Sequence, residues 1–522
     1  MKIVIEKKYL ILPINVYATP KKLCFYKVQD KKQTLVMDFD CKLDFLTPTY
    51  TAYLDVSRFC GAELEYSTIP QMEFLLEQTD EKTIDALYQE EFRPTVHFTP
   101  QIGWINDPNG LIKYQGKYHM FYQYNPFGTE WGNMHWGHAI SDDLLFWDEQ
   151  DIALFPDEMG TMYSGSAIED RRNVSGLQSG KNPPMLLFYT AAGDRSMLSK
   201  RKDRTQCLAY SNDGGKAFVK YKKNPVMDTI ERYNRDPKVV WVEDLSAYVT
   251  ILYLDEDRYA LLTSTDLLDW HFLQEITISG ERECPDIMRF SIKGRDYWVI
   301  AGATDKYVVG RFENKLFVPK TATKTLSYSP ALASYAAQSF SGIDDGRVLR
   351  IAWDNIHMPS QRVPNQMSFP TELKLEGDAE DLYLTARPAE ELERLYTETH
   401  SCEGAEVTVR LERAAYDISL MIDRQKDATV KIFGHVLQIK ASEKHIVFQK
   451  VKIPLLSTSD TVDLRMIVDR CSLELFADGG RACATFPMLC DYNLPYLQAI
   501  SKDGTSVLRL TAHRLRSIYE QQ

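Results

Sequence analysis

The sequence predicts an all-β fold in three parts: an extra small N-terminal β-domain, a five-bladed β-propeller and a C-terminal β-sandwich. Short segments in which apolar and polar residues alternate recur along most of the 522 residues, as half-buried strands do. Tyrosine and phenylalanine, with 29 and 23 copies, both favour strands. A turn motif also recurs three times in the middle of the chain, which indicates a repeat architecture.

Residues 1–92 are predicted to form the N-terminal domain. The segments KKLCFYKV, KLDFLTPTYTAYLDV and AELEYS have the composition of strands and are separated by turn residues. Between Pro70 and Pro94, apolar residues such as Phe74 and Leu87 lie among acidic ones, and no glycine interrupts the run. We therefore expect short helices or a helical linker there.

Residues 93–373 are predicted to form the propeller, because they carry the recurring motif. Three segments share a strand end, a Ser-x-Asp turn and an aromatic residue that re-enters the next strand: AISDDLLFW, AYSNDGGKAF and LTSTDLLDW. Their serines are 70 and 53 residues apart, a period that suits one four-stranded blade with its loops. At about 55 residues per blade, this region holds five blades.

Residues 374–522 are predicted to form the sandwich. The segment RPAEELERLY is predicted to be a helix-rich bridge, after which alternation resumes in AEVTVRLE, ATVKIFG, HIVFQKVKI, TVDLRMIVD, CSLELFAD and SVLRLTAHRL. Regularly spaced strands with few helical patterns are typical of a β-sandwich.

Composition and charge exclude several classes of function. The net charge of −12 argues against a large nucleic-acid or anionic-membrane surface, since such surfaces need clustered lysine and arginine. No run of 18 apolar residues is present, so no membrane partner is expected. The nine cysteines and ten histidines lack the spacing of zinc ligands, so we expect no metal and no cofactor. Homo-oligomerisation is left open.

The start of the chain, MKIVIEKKYLILPINVYA, has lysines followed by apolar residues, as a secretion signal does. However, Glu6 lies among the lysines, Pro13 interrupts the apolar run, and the segment alternates like a strand. The odd number of cysteines, without a CxxC pair, favours reduced thiols. We therefore expect a cytoplasmic location.

Three acidic residues stand near the starts of predicted strands: Asp107 in WINDPNG, Asp236 in NRDPKVV and Glu283 in RECPDIM. Each is followed, immediately or two residues later, by a proline that makes the local backbone rigid. A propeller gathers its innermost strands around a central channel, so we expect the three carboxylates to meet there. A single Asp-Pro is uninformative because it is common in turns, but three at blade spacing indicate a catalytic site.

These segments resemble glycoside hydrolase family 32, the β-fructofuranosidases that include invertases, levanases and inulinases. The resemblance runs from RPTVHFTPQIGWINDPNGLIKYQGKYHMFYQYNP through WGNMHWGHAISDDLLFW, YSGSA, RDPKVVW, ECPD, SYAAQSF and RIAWDN to MIVDRCSLELFADGG. It covers about 430 of the 522 residues and leaves residues 1–92 outside. The family implies a five-bladed propeller followed by a β-sandwich, in agreement with the prediction above.

The resemblance implies a retaining hydrolase that releases terminal β-D-fructose from sucrose, fructo-oligosaccharides or fructans of the levan or inulin type. It makes Asp107 the nucleophile, Glu283 the general acid/base and Asp236 a stabiliser that hydrogen-bonds fructose hydroxyls. The charges of both aspartates would help to keep Glu283 protonated in the free enzyme. The implied contacts to the sugar are Asn106, Gln123, Trp131, Tyr163, Ser164 and Arg235.

Other functions are compatible with the same residues or with the same fold. Fructosyl transfer passes the sugar from the same covalent intermediate to another hydroxyl, and all three acids would serve it equally. A non-catalytic fructan-binding protein would have lost the chemistry, so the presence of all three acids counts against it. A propeller hydrolase that acts on arabinosides fits the fold alone. The N-terminal residues could bind carbohydrate, narrow the pocket, mediate oligomerisation or simply pack against the propeller.

Several individual residues have a structural alternative to a functional role. Trp131 and Trp136 could serve only in blade packing, and Cys284 is interpreted as a small buried residue beside the acid. Arg282 stands where many relatives have an aromatic residue. We expect Arg282 and Glu283 to lie in an extended strand, where neighbouring side chains point to opposite faces, so no direct pairing is expected. The substitution leaves the leaving-group preference open.

Overall fold

The computed structural model describes residues 1–29, 32–360, 362–378 and 381–520. Within these ranges the chain forms 41 β-strands and five 3-10 helices, and no α-helix is present there. The all-β fold class is confirmed. No helix in the described ranges has the length and hydropathy needed to cross a membrane. The 3-10 helices are Ser57–Phe59, Glu243–Leu245, Glu390–Leu395, Ala441–Glu443 and Asp478–Gly480.

Seven strands form two N-terminal sheets, with the strand orders β1-β6-β3-β4 and β5-β2-β7. Their bounds are β1 (Lys2–Val4), β2 (Tyr9–Ile14), β3 (Lys21–Gln29), β4 (Lys32–Cys41), β5 (Tyr50–Asp55), β6 (Glu63–Ile69) and β7 (Gln78–Thr79). The start of the chain is strand-like, as predicted. Apolar residues of both sheets, including Leu12 and Phe25, share one buried core.

The helical linker predicted between Pro70 and Pro94 is wrong. This segment is extended or turned, and its strand β7 pairs with β2. Phe74 and its second neighbour Leu76 are buried, whereas Leu75 between them is 81% exposed. That alternation has the period of a strand, so the apolar residues pack against the N-terminal core without a helix.

Five antiparallel sheets, named sheets I to V, follow in chain order. Sheet I contains β8 (Trp104–Tyr114), β9 (Lys117–Asn125), β10 (His135–Ser141) and β11 (Asp148–Glu149). Sheet II contains β12 (Thr161–Glu169), β13 (Met185–Ala192), β14 (Arg204–Ser211) and β15 (Val219–Lys220). Sheet III contains β16 (Arg235–Val242), β17 (Ala247–Asp255), β18 (Arg258–Ser264) and β19 (His271–Thr277).

The last two of these sheets have five strands each. Sheet IV contains β20 (Asp286–Ile292), β21 (Arg295–Ala301), β22 (Lys306–Glu313), β23 (Leu316–Pro319) and β24 (Lys324–Thr325). Sheet V contains β25 (Ser334–Ser339), β26 (Val348–Asp354), β27 (Gln366–Met367), β28 (Thr371–Glu376) and β29 (Tyr383–Pro388). The first strands contact one another in the cyclic order β8, β12, β16, β20, β25 and again β8.

The recurring turn motif occupies the same place in sheets I to III. Its serine ends the third strand of each sheet and donates a hydrogen bond to the aspartate two residues later. The three pairs are Ser141 with Asp143 at 3.2 Å, Ser211 with Asp213 at 2.7 Å and Ser264 with Asp266 at 3.0 Å. The motif therefore marks the connection to the fourth strand.

The boundary predicted at residue 373 requires correction, because it falls inside β28. This strand pairs with β26 on one side and with β29 on the other, so sheet V continues to Pro388. The helix-rich bridge that was predicted next is a single 3-10 helix, Glu390–Leu395.

Twelve strands form two C-terminal sheets, with the orders β30-β41-β32-β37-β38-β39 and β31-β40-β33-β34-β35-β36. Apolar residues from both sheets share one core, which is the arrangement of a β-sandwich. The bounds are β30 (Tyr396–Gly404), β31 (Glu406–Arg410), β32 (Ala415–Asp423), β33 (Ala428–Ile432), β34 (His435–Lys440), β35 (His445–Phe448), β36 (Val451–Pro454), β37 (Thr461–Val468), β38 (Ser472–Ala477), β39 (Ala482–Pro487), β40 (Tyr496–Ser501) and β41 (Leu508–Leu515).

Candidate active site

The three predicted acids lie at the starts of three sheets and line one cavity of about 390 Å³. Asp107 lies in β8, Asp236 is the second residue of β16, and Glu283 lies three residues before β20. The pairing of β8 with β9 is irregular between Ile105 and Pro108, and that of β16 with β17 between Arg235 and Lys238. Such bulges turn side chains out of the regular alternation of a strand, here into the cavity.

The cavity contains every residue that the sequence assigned to the site. Five further residues, for which the sequence predicted no role in the site, also line the cavity. The complete lining is Asn106, Asp107, Gln123, Trp131, Tyr163, Ser164, Arg195, Arg204, Arg235, Asp236, Glu283, Cys284, Tyr335 and Trp353.

Asp107 is held by donors from two distant segments of the chain. Ser164 donates from Oγ to Oδ2 of Asp107 at 2.6 Å, and the Cys284 thiol reaches the same oxygen at 3.4 Å. The neighbouring Asn106 is fixed by the Trp104 indole, whose Nε1 donates to its Oδ1 at 2.9 Å. Burial raises the pKa of Asp107 above its usual value, the Glu283 charge adds to that, and the Ser164 hydrogen bond opposes it.

Asp236 occupies a strained backbone position beside the other two acids. Its φ is +64°, in the left-handed region that residues other than glycine rarely adopt. The Cys284 amide donates to Oδ2 of Asp236 at 3.1 Å, and Arg235 Nε lies 3.6 Å from the same oxygen. Burial and the charges of Glu283 and Asp107 raise the pKa of Asp236 to about 6, against the opposing effect of Arg235.

Glu283 is oriented by two partners. Arg235 donates from Nη2 to Oε1 of Glu283 at 2.5 Å, and Tyr335 donates from its hydroxyl to Oε2 at 2.8 Å. The expectation that Glu283 belongs to an extended strand is wrong: it precedes β20 in a bend, with a φ of +38°. Arg282 is exposed, outside the lining of the cavity.

Aromatic and cationic side chains form the rim of the cavity, which we define as Trp131, Tyr163 and Arg195. Trp131 is 49% exposed, and its ring centroid lies 5.9 Å from that of Tyr163. The guanidinium of Arg195 lies 5.9 Å from the Trp131 ring and 6.0 Å from the Tyr163 ring. Trp136, by contrast, is fully buried and donates to the Tyr163 carbonyl, so its role is packing.

Cys284 touches the acids as a neutral thiol. Burial, reinforced by the charges of Asp107, Asp236 and Glu283, raises the pKa of this thiol well above its usual value. A thiol that stays protonated donates hydrogen bonds but is a poor nucleophile. The predicted non-nucleophilic interpretation agrees with this environment, but the residue also lines the cavity.

Within the described ranges, one group of side chains has ligand atoms close enough together to hold a metal ion: His97, Asp354 and Glu474. It lies outside the cavity lining. His97 Nδ1 is 2.9 Å from Asp469 and Nε2 is 3.2 Å from Glu474, so a carboxylate faces each ring nitrogen. This arrangement suits a doubly protonated imidazole, which has no lone pair for a metal.

Comparison with known proteins identifies the family of this chain. The model for the glycosyl hydrolases family 32 N-terminal domain matches residues 97–386, and that for the family 32 C-terminal domain matches residues 366–513. A levanase of Bacillus subtilis (strain 168) is 31% identical over 494 residues, which cover 83% of this chain and 72% of the levanase. The chain belongs to glycoside hydrolase family 32. It is therefore a glycoside hydrolase.

One further relative and two solved structures are also similar to this chain. An extracellular exo-inulinase of Aspergillus niger is 26% identical over 520 residues, which cover 83% of this chain and 96% of the relative. A crystal structure of an exo-inulinase from Aspergillus awamori has a TM-score of 0.74 at 24% identity and covers 83% of this chain and 100% of its own. A fructofuranosidase from Schwanniomyces occidentalis complexed with fructose has a TM-score of 0.71, also at 24% identity, with coverages of 83% and 100%.

The cavity residues without an assigned role differ in the signal that the sequence carries for them. Tyr335 and Trp353 lie in SYAAQSF and RIAWDN, two segments of the family 32 resemblance, so the sequence carries a local signal for both. Arg195 precedes β14 and Arg204 begins it, in a stretch of sheet II that shows no family motif. Only the folded structure brings these two guanidinium groups to the cavity.

Proposed function

We propose that this enzyme is a retaining hydrolase that releases terminal β-D-fructofuranosyl units from sucrose, fructo-oligosaccharides and fructans. The observation that carries the proposal is the meeting of Asp107, Asp236 and Glu283 in one cavity, although 176 residues separate the first acid from the last. Retaining hydrolysis requires two carboxyl groups on either side of the scissile bond, and the third can bind sugar hydroxyls. The levanase, exo-inulinase and fructofuranosidase relatives support fructosides as the substrates.

In this mechanism Asp107 attacks the anomeric carbon of the fructosyl unit while Glu283 transfers a proton to the oxygen of the leaving group. The bond from carbon to that oxygen breaks, and a covalent fructosyl-enzyme forms. Glu283, now ionised, takes a proton from water as the water oxygen attacks the same carbon. Fructose leaves, and both carboxyl groups return to their starting states.

The remaining lining residues supply sugar contacts in this proposal. Asn106, Gln123, Ser164 and Arg235 offer directional donors and acceptors to hydroxyl groups, and Asp236 accepts hydrogen bonds from two neighbouring hydroxyls. Asp236 is 5% exposed, whereas Trp131 at the rim is 49% exposed. This difference in exposure supports entry of a terminal sugar first and release of single terminal units.

The fold part of the proposal is that sheets I to V are the five blades of a propeller. The cyclic contacts of their first strands support it, because blades share a central channel lined by those strands. The N-terminal sheets, with residues 1–92, then form an additional domain, and the C-terminal sheets form the sandwich. The cytoplasmic location stays a prediction, and it fails if protein recovered from its source is processed near residue 18.

The test is a product analysis with sucrose, kestose, inulin and levan. Free fructose should appear from at least one of them, and Asp107→Asn and Glu283→Gln should each lower kcat by at least about a hundredfold. Asp344→Asn, at an exposed acid outside the cavity, should leave kcat unchanged. Undiminished release by the Asp107 or Glu283 variants would refute the assigned roles. Products larger than the substrate would show transfer, and no reaction at all would favour a binding protein.

A further inference from the structure

Two loops that carry the rim of the cavity rest on the N-terminal sheets. Residues 126–134 connect β9 to β10 and carry Trp131, and residues 193–203 connect β13 to β14 and carry Arg195. Neither loop contains a strand of its own. Their positions therefore depend on what they pack against, and strand β4 contacts both.

The loop with Trp131 is attached to β4 on either side of the indole. The backbone amide of Asp40 donates to Oδ1 of Asn133 at 2.9 Å, and Nδ2 of Asn133 donates back to the Asp40 carbonyl at 2.7 Å. Lys42, the residue directly after β4, places its Nζ 2.7 Å from Glu130 Oε1. The contact extends into the core, where the ring centroids of Phe39 and Phe127 are 4.1 Å apart.

The loop with Arg195 is attached through one buried carboxylate. Asp38 accepts hydrogen bonds from the backbone amides of Met197 and Leu198, each at 2.9 Å. The Asp38 side chain is 0% exposed, and its nearest cation is Lys22, with Nζ at 3.6 Å. A buried carboxylate that accepts two amide hydrogen bonds fixes the path of the loop two residues after Arg195. Loss of these bonds would leave two amides and one charge unsatisfied.

We propose that β4 sets the leaving-group specificity of the enzyme, an inference that rests on the proposed function. Asp38 is a positioning residue that holds Arg195 over the rings of Trp131 and Tyr163, and the pairing of Asp40 with Asn133 holds Trp131 itself. The N-terminal sheets, which lie outside the family 32 match, are then part of the substrate-recognition apparatus.

The expected effect of displacing the rim loops follows from the part of the substrate that each group contacts. The fructosyl unit reaches the acids inside the cavity, so the sugar beyond the scissile bond lies towards the rim. There an indole can cover the apolar face of a sugar ring, and a guanidinium can donate to its hydroxyls. Displacement of the rim loops should weaken the binding of the leaving group and leave the chemistry at Asp107 and Glu283 intact.

The test compares two substrates that differ only in the leaving group, sucrose and methyl β-D-fructofuranoside. Asp38→Ala should lower kcat/KM for sucrose about tenfold, mainly through KM, and change kcat/KM for the methyl fructoside by less than about twofold. In an Arg195→Ala background, Asp38→Ala should cause no further loss on sucrose, because both changes act through the same guanidinium. Asp38→Asn, which keeps one acceptor, should lie between the wild type and Asp38→Ala.

The control is Asp80→Ala, since Asp80 also accepts a backbone amide, from Lys8 at 3.1 Å, but has no described contact with either rim loop. It should leave both substrates unaffected. Equal losses on both substrates in Asp38→Ala, or losses that add to those of Arg195→Ala, would overturn the inference and leave the proposed function standing. A wild type that releases fructose from none of sucrose, methyl β-D-fructofuranoside, kestose, inulin and levan would instead refute the proposed function, and the inference with it.

Discussion

Ser164 donates a hydrogen bond of 2.6 Å to the carboxylate of Asp107, across 57 residues of sequence. Ser164 belongs to β12 of sheet II and Asp107 to β8 of sheet I, so the bond joins the first strands of two sheets. It favours the ionised form of a carboxyl group that burial pushes towards the neutral form. A neighbouring sheet thus supplies a hydrogen bond that opposes the effect of burial on the pKa of the proposed nucleophile.

Ser164→Ala should shift the acid limb of the profile of kcat/KM against pH to higher pH. Attack requires ionised Asp107, and loss of a hydrogen bond that lowers its pKa makes protonation easier. Activity at low pH should therefore fall more than activity at neutral pH. The control is Ser175→Ala, which removes a bond of the same 2.6 Å length to Asp170, outside the cavity. An acid limb that stays in place or moves to lower pH would contradict the expected effect.

Tyr335→Phe should lower kcat/KM about tenfold, because the hydroxyl donates to Oε2 of Glu283 and holds that carboxyl group in place. Arg235 alone would then orient Glu283. Tyr307→Phe is a suitable comparison because Tyr307 is also buried and lies outside the cavity lining. Among the described residues, its hydroxyl has one hydrogen bond, which it accepts from the Leu384 amide. Steady-state kinetics should show full activity for Tyr307→Phe, and equal activity of both variants would exclude an orienting role for Tyr335.

Cys284 should resist alkylation by iodoacetamide at neutral pH, although it contacts two carboxylates of the proposed active site, Asp107 and Asp236. Only the thiolate reacts, and burial with the surrounding negative charge keeps this thiol protonated. Mass spectrometry should find the label first on the exposed Cys60, with activity retained. The measurement is repeated with Cys60→Ser as the control. Rapid inactivation of that variant, with label on Cys284, would show that the thiol is ionised.

The acids and their pocket could be predicted because short motifs carry them. A proline after each acid and the family 32 segments around it are local signals, and the Ser-x-Asp turns likewise need only adjacent residues. The contacts that position the rim, by contrast, join residues that are far apart in the sequence. Asp38 and Met197 are 159 residues apart, and no local pattern links an N-terminal aspartate to a loop of sheet II.

The incorrect helix between Pro70 and Pro94 has a related cause. The composition of that segment is compatible with a helix, but Phe74 and Leu76 pack into the apolar core of the N-terminal sheets. Tertiary packing therefore decides between an extended and a helical segment, and propensity does not. Similarly, the hydrogen bonds that orient the Glu283 carboxyl group come from Arg235 and Tyr335, which lie far from it in the chain.

A buried charge cluster joins the central sheets to the C-terminal sheets. His97, which precedes β8, bonds Asp469 and Glu474, and Asp469 also accepts the backbone amides of Thr95 and Val96. Although burial opposes its charge, the two carboxylates raise the pKa of His97 to about 10. The histidine is therefore protonated at neutral pH, and among the described residues it is the only cation within 4 Å of the Asp469 and Glu474 carboxylates.

His97→Gln should lower the free energy of unfolding by about 3 kcal/mol at pH 6, because it leaves buried carboxylates without a cation. The pKa of His97 is raised on folding, so its stabilising contribution is complete below about pH 6.5, declines as pH rises, and is lost above about pH 10. The gap in stability between wild type and variant should narrow accordingly in urea titrations from about pH 6 to pH 10. His271→Gln, at a side chain 74% exposed, should match the wild type throughout. A gap that is constant with pH would mean that His97 stabilises the fold as a neutral ring.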